Sequence, residues 1–402
     1  MRVLLTVNAA WNALNFRRPV IEALLSKGHH VTILAPLDDA APALRAMGCR
    51  VVELHMDVQG LSPRQDARLV NRFASHFATL RPDVILGYTV KNNIFGAVAA
   101  KRMAIPFLPN VSGLGTGFLS GGALRMVVET LYRFAFRGLP ILFFQNPDDR
   151  DLFVQRRLIA PGQARLVPGS GVDLKHFSPM PLPARKGTVF LMISRLLRDK
   201  GVLEYVEAAR QIRTVRNDVR FQILGQVGAA NRSALGANDL SRWVQAGVIE
   251  HLGEHDDVRP FIALADSVVL PSYREGAPRT LLEAASMARP LIATDVPGCR
   301  HVVDDGITGM LCVPRDIESL RQRLVAFADM PTNTRVMMGG AGRDKMLREY
   351  DQAIVVDSYL SAISDLVPGQ ATTADARLRP SPHNTPQFSN TRDPKHLHIQ
   401  QP

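Results

Sequence analysis

Two glutamates stand eight positions apart in the stretch Pro271-Ser272-Tyr273-Arg274-Glu275-Gly276-Ala277-Pro278-Arg279-Thr280-Leu281-Leu282-Glu283-Ala284. The run Asp266–Leu270 ahead of them is short, unbroken and rich in valine, which predicts a strand covered on both faces of a parallel sheet. Glu-Gly-Ala-Pro predicts a turn, and Pro278 suits the first turn of a helix. A helix that starts where a strand ends offers free N–H groups and its positive end to an anion, and phosphate is the commonest such anion. Glu283 falls about one turn inside, where a carboxylate can accept hydrogen bonds from vicinal hydroxyls. Glu275 lies on the loop, nearer to whatever hangs from the phosphates, and Arg279 and Thr280 stand at the helix start. Alone, a glutamate near a helix N-terminus is only a favourable partner of the dipole. The two together support more.

A second set of residues follows the apolar run Thr188–Ile193. In Ser194-Arg195-Leu196-Leu197-Arg198-Asp199-Lys200-Gly201, Arg195 and Lys200 fall at a strand's carboxyl end, with a helix expected from about Gly201. There an arginine fork and a lysine point charge can clamp a diphosphate. Taken singly, an arginine and a lysine in a loop are solvated surface. The first half offers less. Asn8–Arg17 contains no glycine, so the dinucleotide fingerprint is missing. Glycines come later, in Asn110-Val111-Ser112-Gly113-Leu114-Gly115-Thr116-Gly117, past an expected strand Pro106–Pro109. Such a loop can approach a ligand closely, and a simple turn is an equal reading. Leu124–Arg137 places aromatic and aliphatic residues beside three arginines at helical spacing. That face could dock on anionic lipid or hold an isoprenoid acceptor, but core is the favoured reading.

These groups need a scaffold. The 402 residues, 46% hydrophobic and 21% charged, suffice for two domains with sizeable cores. Three cysteines without metal-ligand spacing suggest a reducing compartment. The first residues are too short an apolar run for a signal peptide and are expected to form a strand. A net charge of +11 calls for an anionic partner. Dispersed arginines and few aromatics argue against nucleic acid, leaving nucleotide substrates or an acidic membrane surface, with a generically basic surface as an equal reading of the latter.

Short β runs alternate with amphipathic stretches. Val3–Val7, His30–Leu34, Arg50–Leu54, Asp83–Leu86, Pro106–Pro109 and Ile141–Phe144 are expected strands, with helices at Phe16–Ser26, Ala67–Leu80 and Ile94–Met103. The pattern restarts after a glycine- and proline-rich linker near 170–185. Thr188–Ile193, Val219–Leu224, Val248–Leu252, Ser267–Leu270, Pro290–Thr294 and Gly309–Val313 are the second set of strands. The fold class is α/β, with two Rossmann-like doubly wound domains facing across a cleft. The expected divisions are 1–170, 171–350, a helix over 351–367, and a disordered tail over 368–402, where proline, threonine, asparagine and glutamine replace apolar periodicity.

Together these residues resemble glycosyltransferase family 4, retaining enzymes of the GT-B fold that use nucleotide-diphosphate sugars. The resemblance is carried by Arg195 and Lys200, by Gly225 and Leu252-Gly253 at strand ends, and by Glu275 and Glu283 as E-x(7)-E within Pro-Ser-x-x-Glu-Gly-x-Pro. It continues through Pro297-Gly298-Cys299 and Asp305-Gly306-x-x-Gly309. In the first half Asn15-Phe16-Arg17, Arg81-Pro82-Asp83-Val84-Ile85, Lys91, Gly96 and Gly113-Leu114-Gly115 are looser matches, similar to the branch of capsular polysaccharide, lipopolysaccharide and lipid-linked glycan assembly.

The resemblance implies a nucleotide-sugar donor, a UDP-sugar, bound mainly by the second domain. Glu283 would hold the ribose hydroxyls and Arg195 and Lys200 the diphosphate. Glu275 with Gly276 and Ala277 would lie near the sugar, with Arg279, Thr280 and Gly253 lining the donor site. A glycan or polyprenyl-diphosphate-linked acceptor would enter on the first domain, near Ser112, Gly113, Asn15 and Lys91. The last helix would cross back to that domain. Neither a cofactor nor a metal is expected, and the location implied is cytoplasmic, free or peripheral on the inner face of the membrane. Two positions depart from the family: Ser112 stands where many members have a histidine, and Ala288 where a glycine is usual. Alternatives are a GT-B-fold sugar-nucleotide epimerase and a non-catalytic nucleotide-sugar-binding assembly subunit.

Overall fold

The computed structural model describes residues 1–368 apart from 59, 61, 115–121, 229–230 and 232. The expected tail and the latter part of the glycine loop, Gly115-Thr116-Gly117, thus lie outside the described residues.

The first sheet consists of β1 (Arg2–Thr6), β2 (His30–Ala35), β3 (Arg50–Glu53), β4 (Val84–Tyr88), β5 (Phe107–Val111), β6 (Leu142–Phe144) and β7 (Ala164–Leu166). Its helices are α1 (Ala10–Ser26), α2 (Ala41–Ala46), α3 (Pro63–Leu80), α4 (Val90–Arg102), α5 (Gly122–Phe136) and α6 (Pro147–Gln155). The strands are parallel, in the order β3-β2-β1-β4-β5-β6-β7, with Leu5 paired to Ile33 on one side and Leu86 on the other. Every residue of β4 and β5 is buried, because helices cover both faces.

The second sheet repeats the plan with β8 (Thr188–Ile193), β9 (Val219–Leu224), β10 (Glu250–His251), β11 (Ser267–Leu270), β12 (Leu291–Thr294) and β13 (Gly309–Cys312). Their order is β10-β9-β8-β11-β12-β13. Around them pack α7 (Val202–Arg213), α8 (Ala237–Gln245), α9 (Arg259–Leu264), α10 (Arg279–Ser286), α11 (Cys299–Val302), α12 (Ile317–Ala328) and α13 (Thr332–Glu349). Strand order reverses between β1 and β4 and between β8 and β11, and the carboxyl ends at such points are where doubly wound sheets bind ligands.

The chain ends its described course in α14 (Gln352–Leu366). Val355, Tyr359, Ala362 and Ile363 of this helix are buried in the core that also holds α1 and one face of the first sheet. Asn110 Nδ2 donates to the Tyr359 hydroxyl at 2.6 Å, so the helix reaches strand β5, just ahead of Ser112.

Local signals and structure differ in three instructive places. α1 begins at Ala10, six residues before the expected start. Ala9 supplies no side-chain cap, but the Asp38 carboxylate, from beyond β2, accepts the Trp11 N–H at 2.9 and 3.1 Å. A cap supplied from a distant loop leaves no mark in the local sequence. β7 was not expected, since three half-exposed residues on a sheet edge make no apolar run. β10 shrinks to two residues at the opposite edge of its own sheet. Among the described residues no helix is long and apolar enough to cross a membrane.

Candidate active site

The turn after β11 is held from two sides. Tyr273 N–H donates to the Asp199 carbonyl at 2.9 Å, and Glu275 N–H donates to the Pro297 carbonyl at 3.2 Å. These bonds bring the 3-10 turn Arg198–Lys200 against the loop. Gly201 permits the approach. It adopts φ +73°, and a Cβ there would stand 2.1 Å from the Pro271 carbonyl oxygen, so no other residue fits.

Lys200 Nζ consequently lies 2.5 Å from Glu275 Oε1, with the side chains 25% and 12% exposed. The Lys200 ammonium keeps further donors for a phosphate. The Arg195 side chain is exposed, and its carbonyl accepts the Leu197 N–H at 2.8 Å. Pro278 precedes α10 as its N-cap, without a side-chain cap, so the N–H groups of Arg279 and Thr280 at the start of the helix have no side-chain partner there. Gly253 lies one strand further, its carbonyl accepting the Gly225 N–H at 2.8 Å.

Glu283 is buried in α10, and Arg279 Nε lies 2.6 Å from its Oε1. Burial pushes the carboxyl above its usual range, while the Arg279 charge pulls it back. Arg279 does more than that. Its Nη1 donates to the Asn15 carbonyl in α1, and its guanidinium stands 5.6 Å from the Phe16 ring centre. That carbonyl is free because residue 19, four positions on inside α1, is a proline without an N–H.

The other acceptor-side residues separate into two groups. The Ser112-Gly113 loop abuts the donor turn: a Cβ on Gly276 would stand 2.2 Å from the Ser112 carbonyl oxygen, and one on Gly169 would stand 2.6 Å from the Ala277 Cβ. Lys91, at the start of α4, is instead bound 2.8 Å from Asp66 Oδ1 of α3, and both are largely buried. Thr280, in the first turn of α10, is half-buried.

Residues outside the expected set complete the junction. Buried Asn146 caps α6 through the Asp149 N–H and also donates to the Gly276 carbonyl at 2.9 Å. Arg274 pairs with Asp149, which is fully buried. His301 Nε2 lies 2.5 Å from Asp148 Oδ2, and Arg300 lies 3.5 Å from the other oxygen. The hydrogen bond from His301, aided by the charges of Arg300 and Arg274, holds the Asp148 carboxyl below its usual range. Tyr273 donates to Glu204 at 2.6 Å, and burial with that carboxylate pushes its hydroxyl up to about 12. Only Asn146-Pro147-Asp148-Asp149, an N-cap signature, could have been picked out locally, and nothing in it names the partner. Among the described residues no group of three His, Cys, Asp or Glu side chains could hold a metal ion.

Two doubly wound parallel-sheet domains in succession, each with a point where strand order reverses, are the architecture of a GT-B glycosyltransferase. The chain is a glycosyltransferase of the family-4 type. A profile described as "Glycosyl transferases group 1" matches residues 187–329, and one described as "Glycosyl transferase 4-like domain" matches 16–169. The chain is 25% identical over 377 residues to the N,N'-diacetylbacillosaminyl-diphospho-undecaprenol alpha-1,3-N-acetylgalactosaminyltransferase of Campylobacter jejuni, covering 90% of this chain and 97% of that one. It is 25% identical to an Escherichia coli UDP-Gal:alpha-D-GlcNAc-diphosphoundecaprenol alpha-1,3-galactosyltransferase, covering 71% and 76%. In fold it is similar to a glycosyltransferase from Rickettsia africae (TM-score 0.73, 18% identity, 92% and 99% covered). It is also similar to Anabaena HepE in complex with UDP-glucose (TM-score 0.73, 16% identity, 91% and 100% covered).

Proposed function

We propose that this protein transfers a sugar, with retention and without a metal, from a UDP-sugar to a polyprenyl-diphosphate-linked or oligosaccharide acceptor in surface-polysaccharide assembly. The observation that carries the reading is the Lys200–Glu275 pair at the uncapped start of α10, with Glu283 buried one turn further in. The names of the Campylobacter and Escherichia relatives, both diphospho-undecaprenol glycosyltransferases, support the acceptor class. The UDP-glucose complex of HepE supports the donor.

In this reading the second domain binds the donor and the first receives the acceptor. Glu283 accepts from the ribose hydroxyls, and Arg195 and Lys200 hold the diphosphate. Glu275, with the backbone of Gly276 and Ala277, faces the sugar. As the bond from the anomeric carbon to the β-phosphate oxygen breaks, negative charge grows on that phosphate. Lys200, Arg195 and the α10 amides stabilise it in place of a divalent ion. The acceptor hydroxyl bonds to the anomeric carbon on the face the phosphate leaves, and its proton passes to the departing phosphate. An acceptor carried on a polyprenyl chain places the enzyme at a membrane, as a peripheral protein on its anionic inner face.

Purified protein incubated with UDP- and GDP-sugars and a polyprenyl-diphosphate-sugar is expected to release UDP and form an α-linked product, equally well in chelator. Glu275→Ala is expected to stop transfer while leaving UDP binding in place. No nucleotide release with any donor overturns the reading, and donor isomerisation without acceptor would make the protein an epimerase.

A further inference from the structure

Helix α5 has two apolar faces, and only one of them is in the core. Tyr132, Ala135 and Phe136 are buried against the first domain, whereas Met126, Val127 and Phe134 are 69%, 55% and 63% exposed. Thr130 and Arg133 are also exposed, as is Arg137 directly after the helix. At 100° per residue these outward positions lie within a stripe about 120° wide. The core reading therefore holds for one face and fails for the other.

What surrounds that stripe is cationic. Lys101 and Arg102 end α4 and are exposed. Lys101 Nζ donates to the carbonyls of Phe134 and Arg137 and lies 5.3 Å from the Phe134 ring centre. Partial burial, with the nearby Arg137 charge second, holds its ammonium below the usual range. Arg133 donates to the carbonyls of Arg156 and Arg157, so the exposed side chains of those two border the same surface. The one carboxylate of α5, Glu129, is mostly buried and already paired with Arg125 and Arg156.

We infer that the outer face of α5, with the end of α4, docks this enzyme on a bilayer of anionic phospholipid, Met126, Val127 and Phe134 entering the interface and Arg102, Arg133 and Arg137 meeting the headgroups. Apolar side chains rimmed by cations are the complement of that surface, since burial of the former and attraction of the latter add. A soluble acidic partner would satisfy the cations and leave three large apolar side chains without a reason to be outside. The inference extends the reading of a lipid-carried acceptor, yet the surface can be tested without any transfer.

The test is co-sedimentation of the full chain with phosphatidylcholine vesicles and with vesicles of phosphatidylcholine and phosphatidylglycerol. The parent is expected to bind the mixed vesicles only, and more weakly as salt rises. Arg102→Glu with Arg137→Glu should weaken binding at least roughly tenfold. Both side chains are exposed, and reversing Arg137 relieves the repulsion it exerts on Lys101, so the melting temperature should not fall. Phe134→Ser should weaken binding several-fold on its own. Arg45→Glu with Arg50→Glu, near the β3 edge at the far side of the same sheet, should bind as the parent does.

Failure of the parent to bind mixed vesicles, equal binding to neutral ones, or equal losses from the two charge reversals would each overturn the inference. So would a parent dimer that Phe134→Ser dissociates, which would assign the face to a second copy. Transfer to a water-soluble short-chain acceptor should be unchanged in all these variants. Absence of that transfer in the parent would sink the transferase reading and leave the vesicle result standing.

Discussion

At the scale of single residues, the pair Arg279–Glu283 carries the sharpest expectation. A buried carboxylate is costly unless paired, and here the pairing group comes from the preceding turn of the same helix. Glu283→Gln keeps the shape and removes the charge that vicinal hydroxyls would meet. UDP affinity should fall about 10- to 100-fold, the worth of hydrogen bonds to a charged group, read by calorimetry or by loss of the UDP-induced rise in melting temperature. Because burial raises the Glu283 carboxyl, its ionised form opposes folding at neutral pH, so the unliganded variant should melt no lower than the parent. A lower melting temperature would mean that Glu283 is structural. The spacing of the two glutamates showed where to look. That Arg279 would also reach Asn15 was not legible, because the vacancy on that carbonyl is created by Pro19, four residues further along another helix in another domain.

At the scale of elements, α10 ends where the family departs in sequence. Ala288 adopts φ +58° in the position that follows the C-cap, a left-handed conformation costing a non-glycine residue about 1 kcal/mol. Ala288→Gly should therefore stabilise the protein by about 0.5–1 kcal/mol, seen as a higher urea midpoint at unchanged slope. A lower midpoint would refute the strain. The start of α6 meets the second domain through Asp148. Its carboxyl is held low mainly by the hydrogen bond from His301, so the stability it contributes is present above the usual carboxylate value and is lost as pH falls through the lowered one. Asp148→Asn should melt below the parent at neutral pH, and the gap should close on acidification. A gap independent of pH would show that the ion pair is not its source. The strands β8 and β11 begin and end where their short runs do, because a strand buried on both faces reads as a near-continuous apolar stretch, and β9 matches its run with Arg220 turned outward and Gln222 half-buried. The edge strands β7 and β10 lack that constraint and were correspondingly hidden or overdrawn.

For the whole molecule, the proposed transfer rests on the close approach of the two sheets' loops, which the absence of a side chain at Gly276 permits. A methyl group there would meet the Ser112 carbonyl at 2.2 Å, and backbone cannot yield cheaply. Gly276→Ala should keep each domain folded and reduce transfer by about 100-fold, as displacements near 1 Å do, while UDP binding to the second domain falls much less. Equal losses in both would argue that the glycine serves the donor alone. The doubly wound character of both halves, the strand-to-helix turn with its two glutamates, and the two cations after β8 are legible in the chain, since each is written in short-range period, composition or spacing. That Lys200 meets Glu275, that Asp38 caps α1, that Arg279 bridges to Asn15 across 264 positions, and that Lys91 turns to Asp66 emerges from the folded chain alone. These pairings are made by chain segments far apart in sequence, whose approach is fixed by the packing of whole sheets and helices and leaves no periodic trace in either partner.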